Sequence, residues 1–260
     1  MNIPEYQKQG SGPTFVYVSG IEGTGKNFYK QAADLARDHT IISFPMRPQG
    51  RYGMEALVDD LISIIRENGP ERVTVLGESF GGLLVLAAAL QYPSYFERMI
   101  LVNSFAAFPH RAKINLGVAL YSVLPYSWLK AYRTKSAGRT IFSDDIALED
   151  RLAFRENTRE VLPEGYLTRL RIIRNTDLRS RLGEVKVPAL IVAGTEDRLL
   201  NAVAAARVLA AGLPRARLKL LEGTGHMALL SGRVRVRDWL EEFDTINAPD
   251  DLELLCSRDV

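Results

Sequence analysis

Val73-Thr-Val-Leu-Gly77-Glu78-Ser79-Phe80-Gly81-Gly82-Leu-Leu84 is the stretch whose reading decides the fold. Arg72–Leu76 is β-branched and apolar, as a buried strand is, and Gly81–Gln91 is rich in Ala and Leu, as a buried helix is. Between them, Gly77-x-Ser79-x-Gly81 predicts a sharp strand-to-helix turn that lifts the Ser79 hydroxyl above the sheet. The residues two before and two after the serine must be small, so that strand and helix approach without clashing. A helix N-terminus beneath the serine favours negative charge, which suits an oxyanion developing on a substrate.

On either side of this turn, short apolar runs alternate with longer helical patterns, the signature of a parallel sheet covered by helices. Strands are expected at Thr14–Val18, Thr40–Phe44, Arg72–Leu76, Met99–Val102, Ala189–Ala193 and Leu218–Leu221. Helices are expected over about 25–37, over Met54–Glu67, where Leu57, Leu61, Ile64 and Ile65 share one face, and over Gly81–Gln91. The fold class is therefore α/β, with a mostly parallel sheet flanked by helices.

The stretch 105–183 breaks the rhythm. It carries helical patterns and scattered aromatics but no convincing strand, and it is too long for a simple connection. It is read as a helical cap inserted into a core formed by 1–104 and 184–244, with 245–260 as a polar, acidic C-terminal extension. From Phe105 to Glu184 the chain has 14 Lys/Arg against 9 Asp/Glu, a surplus of +5.

Composition narrows the chemistry. The 260 residues carry a net charge of +2, which gives no general attraction to nucleic acid, and no nucleic-acid partner is expected. The single cysteine, Cys256, rules out a disulfide framework and a cysteine zinc site. The N-terminal residues lack a signal-peptide pattern, and the longest apolar run, Leu83–Leu90, falls short of the ~20 residues of a membrane span, so a cytoplasmic protein is expected. There are 3 histidines: His39, His110 and His226.

A serine needs a base to take its proton, and the base needs a carboxylate to orient it. The order expected after an elbow serine is an acid and then a histidine. Asp197 follows the fifth expected strand and His226 the sixth, so both stand on the rim that presents Ser79. His39 precedes a strand, at the opposite rim, and His110 follows Pro109 with no strand to position it. Glu196 remains the alternative acid. Gly20-x-x-x-x-Gly25-Lys26 mimics the start of a nucleotide-binding loop, but Asn27 stands where a Ser or Thr would hold magnesium, and Glu22 opposes phosphate. The glycines there need another explanation.

Taken together, Ser19-Gly20, Gly77-Glu-Ser79-Phe-Gly81-Gly82, Pro188-Ala-Leu-Ile-Val-Ala-Gly194-Thr-Glu-Asp197 and Gly225-His226 resemble the α/β-hydrolase superfamily, in its cap-bearing serine esterase/thioesterase-like branch. The resemblance spans nearly the whole chain. It implies an oxyanion hole formed by the backbone N–H groups of Phe80 and Ile21, and so a role for Gly20–Gly25 in folding the chain back towards the serine. There are departures. Ser19-Gly20 replaces a frequent His-Gly, and Glu22, beside the proposed donor, is expected to face elsewhere. The leading antiparallel hairpin is missing or reduced. Arg47 and Gly50 only loosely echo an Asp-x-Arg-Gly loop.

The expectation is acyl transfer with Ser79 as nucleophile, His226 as base and Asp197 as its orienting acid, with no metal or organic cofactor. A serine at the elbow sets the chain apart from dehalogenases and epoxide hydrolases of this fold, which place Asp there. The aromatic cap suggests a small-molecule carboxylic ester with an apolar acyl or alcohol group. The alternatives are a thioesterase or acyltransferase working on a carrier-bound acyl chain, for which a basic cap would suit an acidic carrier, and a ligand-binding receptor with little turnover.

Overall fold

The computed structural model describes residues 3–69, 72–131 and 140–246. One sheet contains seven strands: β1 (Gln7–Gln9), β2 (Thr14–Val18), β3 (Thr40–Ser43), β4 (Val73–Glu78), β5 (Phe96–Val102), β6 (Ala189–Gly194) and β7 (Ala216–Leu221). Their order is β1-β3-β2-β4-β5-β6-β7, and every pair except β1–β3 is parallel. The six expected strands are β2 to β7. The sequence reading missed β1. Gln7-Lys8-Gln9 has no apolar residue to signal a strand, all three residues are exposed, and β1 is held by antiparallel pairing of Gln7 with Ser43. The leading hairpin is thus reduced to one polar edge strand, which also limits edge-to-edge pairing with other chains.

The chain moves outward from β2 to β3 and then crosses back past β2 to β4. Connections leaving the carboxyl ends of β2 and β4 therefore run in opposite directions and open a crevice between them. That crevice lies where Ser19–Gly25 and Ser79 begin.

On one face of the sheet pack α2 (Met54–Glu67), α3 (Phe80–Gln91) and α7 (Ala202–Gly212); on the other pack α1 (Tyr29–Leu35) and α8 (Val236–Ile246). In α2 the expected residues Leu57, Leu61, Ile64 and Ile65 are all buried, each contributing about 1.5–3 kcal/mol. Helix α3 is buried from Phe80 to Ala89, which explains its apolar sequence all round. The first expected helix is shorter than its pattern: a 3₁₀ turn, Lys26–Phe28, precedes α1. Gly25 starts that turn at φ 72°, and a Cβ there would lie 2.6 Å from the Phe44 carbonyl oxygen, so only glycine fits.

Within 105–183 lie α4 (Arg111–Val123), α5 (Leu148–Asn157) and α6 (Pro163–Asn175), and residues 126–131 are helical as well. Ile114 and Val118 of α4 and Tyr166, Leu170 and Ile173 of α6 belong to the same apolar cluster as the sheet. Helix α5 joins the molecule differently: Phe142, Ile146 and Phe154 pack with Met227 and Leu230 from the segment after β7. Residues 132–139 and, of the C-terminal extension, 247–260 with Cys256 lie outside the described residues. No described helix is long and apolar enough to cross a membrane.

Candidate active site

Ser79 sits between β4 and α3 at φ 53°, ψ −116°, a strained conformation for a residue with a side chain. Tight packing imposes it. A Cβ on Gly77 would lie 2.6 Å from the Gly82 Cα, and one on Gly81 would lie 2.1 Å from the Val18 carbonyl oxygen. Gly82 is equally constrained, since a Cβ there would meet the Ser104 Oγ at 2.2 Å. Hydrogen bonds secure the turn: Ser79 N–H donates to the Val102 carbonyl (2.9 Å), and the Ser104 hydroxyl donates to the Ser79 carbonyl (2.8 Å).

Three of the residues singled out from the sequence come together. His226 Nε2 lies 3.1 Å from Ser79 Oγ, and His226 Nδ1 lies 2.7 Å from Asp197 Oδ2. A carboxylate only accepts, so Nδ1 carries the proton and Nε2 is left to accept from the serine hydroxyl. The other Asp197 oxygen accepts from Leu199 N–H (2.8 Å) and Leu200 N–H (3.1 Å), which holds the carboxylate still. Glu196 is exposed, and Asp197 is the acid that faces the imidazole. His39 pairs with Asp38 (2.7 Å), and the His110 ring stands 6.4 Å from that of Phe108; neither joins the Ser79 cluster.

The loop after β2 passes directly against the serine: a Cβ on Gly20 would be 3.5 Å from the Ser79 Cβ. Gly23 N–H donates to the Gly20 carbonyl (3.0 Å), closing a tight turn that contains Ile21. Phe80 is the first residue of α3, and among the described residues neither its N–H nor that of Ile21 has an acceptor. Glu22, expected to face elsewhere, instead lines the same cavity, and its backbone carbonyl accepts from Arg169 Nη2 (3.2 Å). The cavity measures about 270 Å³. Its floor is Ser79 and His226, Phe142, Phe154 and Met227 give it an apolar wall, and Lys130, Arg155 and Arg159 add positive charge.

Burial alone would push the His226 pKa down, but the charge and hydrogen bond of Asp197, with the charge of Glu78, outweigh it and hold the imidazole above its ordinary 6.5. Asp197 shifts the opposite way: burial raises it, and His226 with the Leu199 and Leu200 amides brings it below its ordinary value. Glu78 is buried beside the serine and accepts a 2.6 Å hydrogen bond from the Tyr17 hydroxyl. Burial raises its carboxyl pKa, although Tyr17 and His226 pull it down. A negative charge near an imidazolium favours the protonated form. Glu78→Gln should therefore move the His226 titration to lower pH, which NMR can follow because only 3 histidines contribute signals. An unmoved or alkaline-shifted midpoint would refute this role for Glu78.

Sequence reasoning missed the pair Asn103-Ser104 at the end of β5. Asn103 is fully buried; its Nδ2 donates to the Gly225 (3.0 Å) and His226 (2.8 Å) carbonyls, and its Oδ1 accepts from Gly194 N–H (2.8 Å). One side chain thus ties the strand end before Asp197 to the loop that carries His226. The signal was available: two polar residues end a buried strand on the same rim as Ser79. Among the described residues no group of three or more His, Cys, Asp or Glu could hold a metal ion.

Residues 50–231, which include Ser79, Asp197 and His226, match the model of a family described as serine aminopeptidase, S33. A protein of Agrobacterium fabrum whose name proposes a carbamate hydrolase, RutD, is 28% identical over 238 residues, covering 82% of this chain and 86% of its own. Among solved structures, the enol-lactonase of Burkholderia xenovorans superimposes with a TM-score of 0.77 at 21% identity, covering 93% of this chain and 94% of that one. A thermophilic esterase of Thermogutta terrifontis gives 0.80 at 18% identity, covering 93% and 92%. At these identities the solved structures establish the fold alone.

Proposed function

The chain belongs to the serine aminopeptidase S33 family of α/β hydrolases, and on that premise we propose that it is a serine hydrolase cleaving a carboxylic ester through an acyl-enzyme on Ser79. One observation carries the reading: the unbroken hydrogen-bonded line Ser79–His226–Asp197 at the floor of a partly apolar cavity. Ser79 Oγ attacks the ester carbonyl carbon while its proton passes to His226 Nε2, and the carbonyl π pair moves onto oxygen. The Ile21 and Phe80 N–H groups stabilise that oxyanion. As the C–O bond to the alcohol breaks, His226 returns the proton to the leaving oxygen. Water then loses a proton to His226 and attacks the acyl-enzyme, and collapse frees the acid and restores the serine. Asp197 holds the imidazole tautomer and stabilises its charge throughout. No metal or organic cofactor enters these steps.

We read 105–183 as the cap, inserted between 1–104 and 184–244, because Lys130, Phe154, Arg155 and Arg159 supply one wall of the cavity. The test offers a p-nitrophenyl ester, an aryl carbamate, an acyl-coenzyme A and a carrier-bound acyl group, and probes Ser79 with a fluorophosphonate. Turnover of the ester and covalent labelling at Ser79 are expected. If none of the four is cleaved and Ser79 resists labelling, the reading fails. The carbamate is included because of the relatives' names.

A second reading, thioesterase or acyltransferase on a carrier-bound chain, draws on Lys130, Arg155 and Arg159 lining the cavity. Phosphates of a coenzyme or the acidic surface of a carrier protein would meet those cations. On that reading Arg155→Glu with Arg159→Glu raises KM for acyl-coenzyme A about tenfold at low salt, and the difference shrinks at 0.5 M salt, roughly where screening lengths fall to a few ångströms. Equal KM values for the variant and the parent would remove the case for an anionic carrier.

A further inference from the structure

Arg169, on α6, is 2% exposed. Its guanidinium donates from Nε to the Ile21 carbonyl (2.7 Å), from Nη2 to the Glu22 carbonyl (3.2 Å), and from Nη1 to the Arg47 carbonyl (3.0 Å) and the Tyr52 hydroxyl (3.2 Å). Among the described residues no carboxylate forms an ion pair with it. Taking a guanidinium out of water without a counter-charge is costly, and an apolar side chain of similar size would fill the space without that cost. What distinguishes the arginine is the set of oxygens it gathers, two of which belong to the loop that presents the Ile21 N–H to Ser79.

The four successive carbonyls from Gly20 to Gly23 are all anchored. Gly20 O accepts from Gly23 N–H (3.0 Å), Gly23 O accepts from Met46 N–H (2.8 Å), and Arg169 takes both carbonyls between them. A trans peptide points its N–H opposite to its C=O, so holding Gly20 O sets where the Ile21 N–H points. Holding Ile21 O on the next peptide stops the glycine-rich turn from rolling over. The fit is mutual: Gly23 lies at φ +68°, and a Cβ there would be 2.9 Å from the Arg169 Cζ. Helix α6 is itself seated on the segment after β3, through Gly165 N–H to the Pro48 carbonyl (3.1 Å) and Thr168 Oγ1 to the Gly50 carbonyl (3.0 Å).

We propose that Arg169 is a positioning residue for the oxyanion hole, through which helix α6 holds the Ile21 N–H in its productive direction. The inference rests on the reading of Ile21 as an oxyanion donor. It makes the activity of the site depend on where α6 sits, although α6 contributes no group to the bond-breaking steps.

Arg169→Lys keeps the charge but has a single donor atom, and Arg169→Met removes both charge and donors. Each is compared with wild type after counting active sites by fluorophosphonate titration, with p-nitrophenyl butyrate as substrate. In Arg169→Met, kcat per titrated site should fall about 10²-fold, the scale of one lost oxyanion donor, with KM changed by no more than about threefold. Arg169→Lys should fall at least about tenfold and lie between the two. Affinity for a trifluoromethyl ketone, which forms an oxyanion on the serine, should fall in step with kcat/KM. A purely structural role would lower the melting temperature and the number of titratable sites and leave kcat per site intact. If Arg169→Met does not fold, Arg169→Lys decides. A wild-type kcat per site and ketone affinity in Arg169→Lys overturn this inference alone. Failure of the wild type itself to react at Ser79 overturns the serine-hydrolase reading, and this inference with it.

Discussion

Ser79→Ala should lower kcat/KM for any ester the wild type hydrolyses by a factor on the order of 10⁴ or more, while the melting temperature stays within a degree or two. The size of the loss follows from what is removed. Without Oγ no acyl-enzyme forms, and the only remaining route is direct attack by water, helped by the Ile21 and Phe80 amides and by substrate positioning. That residual route is worth about 10³–10⁴ over the uncatalysed reaction. His226→Ala should cost a similar factor, because a serine without its base at 3.1 Å is an ordinary alcohol. The two losses should not add: the double variant should be no worse than the poorer single one, since either change disables the same step. The fold should tolerate Ser79→Ala because the turn is held by the Val102 and Ser104 bonds to the serine backbone. Measuring kcat/KM beside thermal unfolding checks both halves. A variant that retained a tenth of the parental activity would exclude Ser79 as the nucleophile.

Asn103→Ala should be among the most destabilising single substitutions, at about 3 kcal/mol or more, and should depress kcat as well. Three buried groups lose their partner at once: the Gly225 and His226 carbonyls and the Gly194 N–H. Each orphaned group costs about 1–3 kcal/mol when water cannot reach it. Asn103 also lies at φ 46°, which asparagine tolerates better than most residues, so alanine adds backbone strain. The loss reaches catalysis because the same side chain ties the end of β6 to the His226 loop. Released, the imidazole would spend less time aligned between Asp197 and Ser79. Urea unfolding should show a lower midpoint at an unchanged slope, and kcat should fall with little change in KM. An unfolding midpoint and kcat both equal to wild type would show that the loops hold each other without Asn103.

The parts of the site that were legible in the sequence share one property: their signal is local. Gly77, Ser79 and Gly81 lie within five residues; a Cβ at 77 would clash inside the turn itself, with Gly82 Cα, whereas one at 81 would meet the Val18 carbonyl oxygen of β2. Asp197 and His226 could be placed because a parallel sheet gathers the carboxyl ends of its strands on one rim, so strand order stood in for distance. Strand β1 escaped notice because Gln7-Lys8-Gln9 has no alternation of polarity, and its pairing comes from β3.

The sequence by itself determined an α/β chain, a sharp strand-to-helix turn that carries Ser79, a histidine, His226, on the same rim, and a long helical interruption between β5 and β6. Tertiary structure alone decided the rest. It chose Asp197 over Glu196 by facing one towards the imidazole and the other to solvent. It set Asn103 across 91 residues onto Gly194, Tyr17 across 61 onto Glu78, and Arg169 across 148 onto Ile21. Periodicity and turn chemistry report whether a side chain is buried and which face of its own element it occupies. Which distant carbonyl a buried donor will meet depends on how the layers stack, and a polar side chain is committed to that partner only once water has been excluded from both.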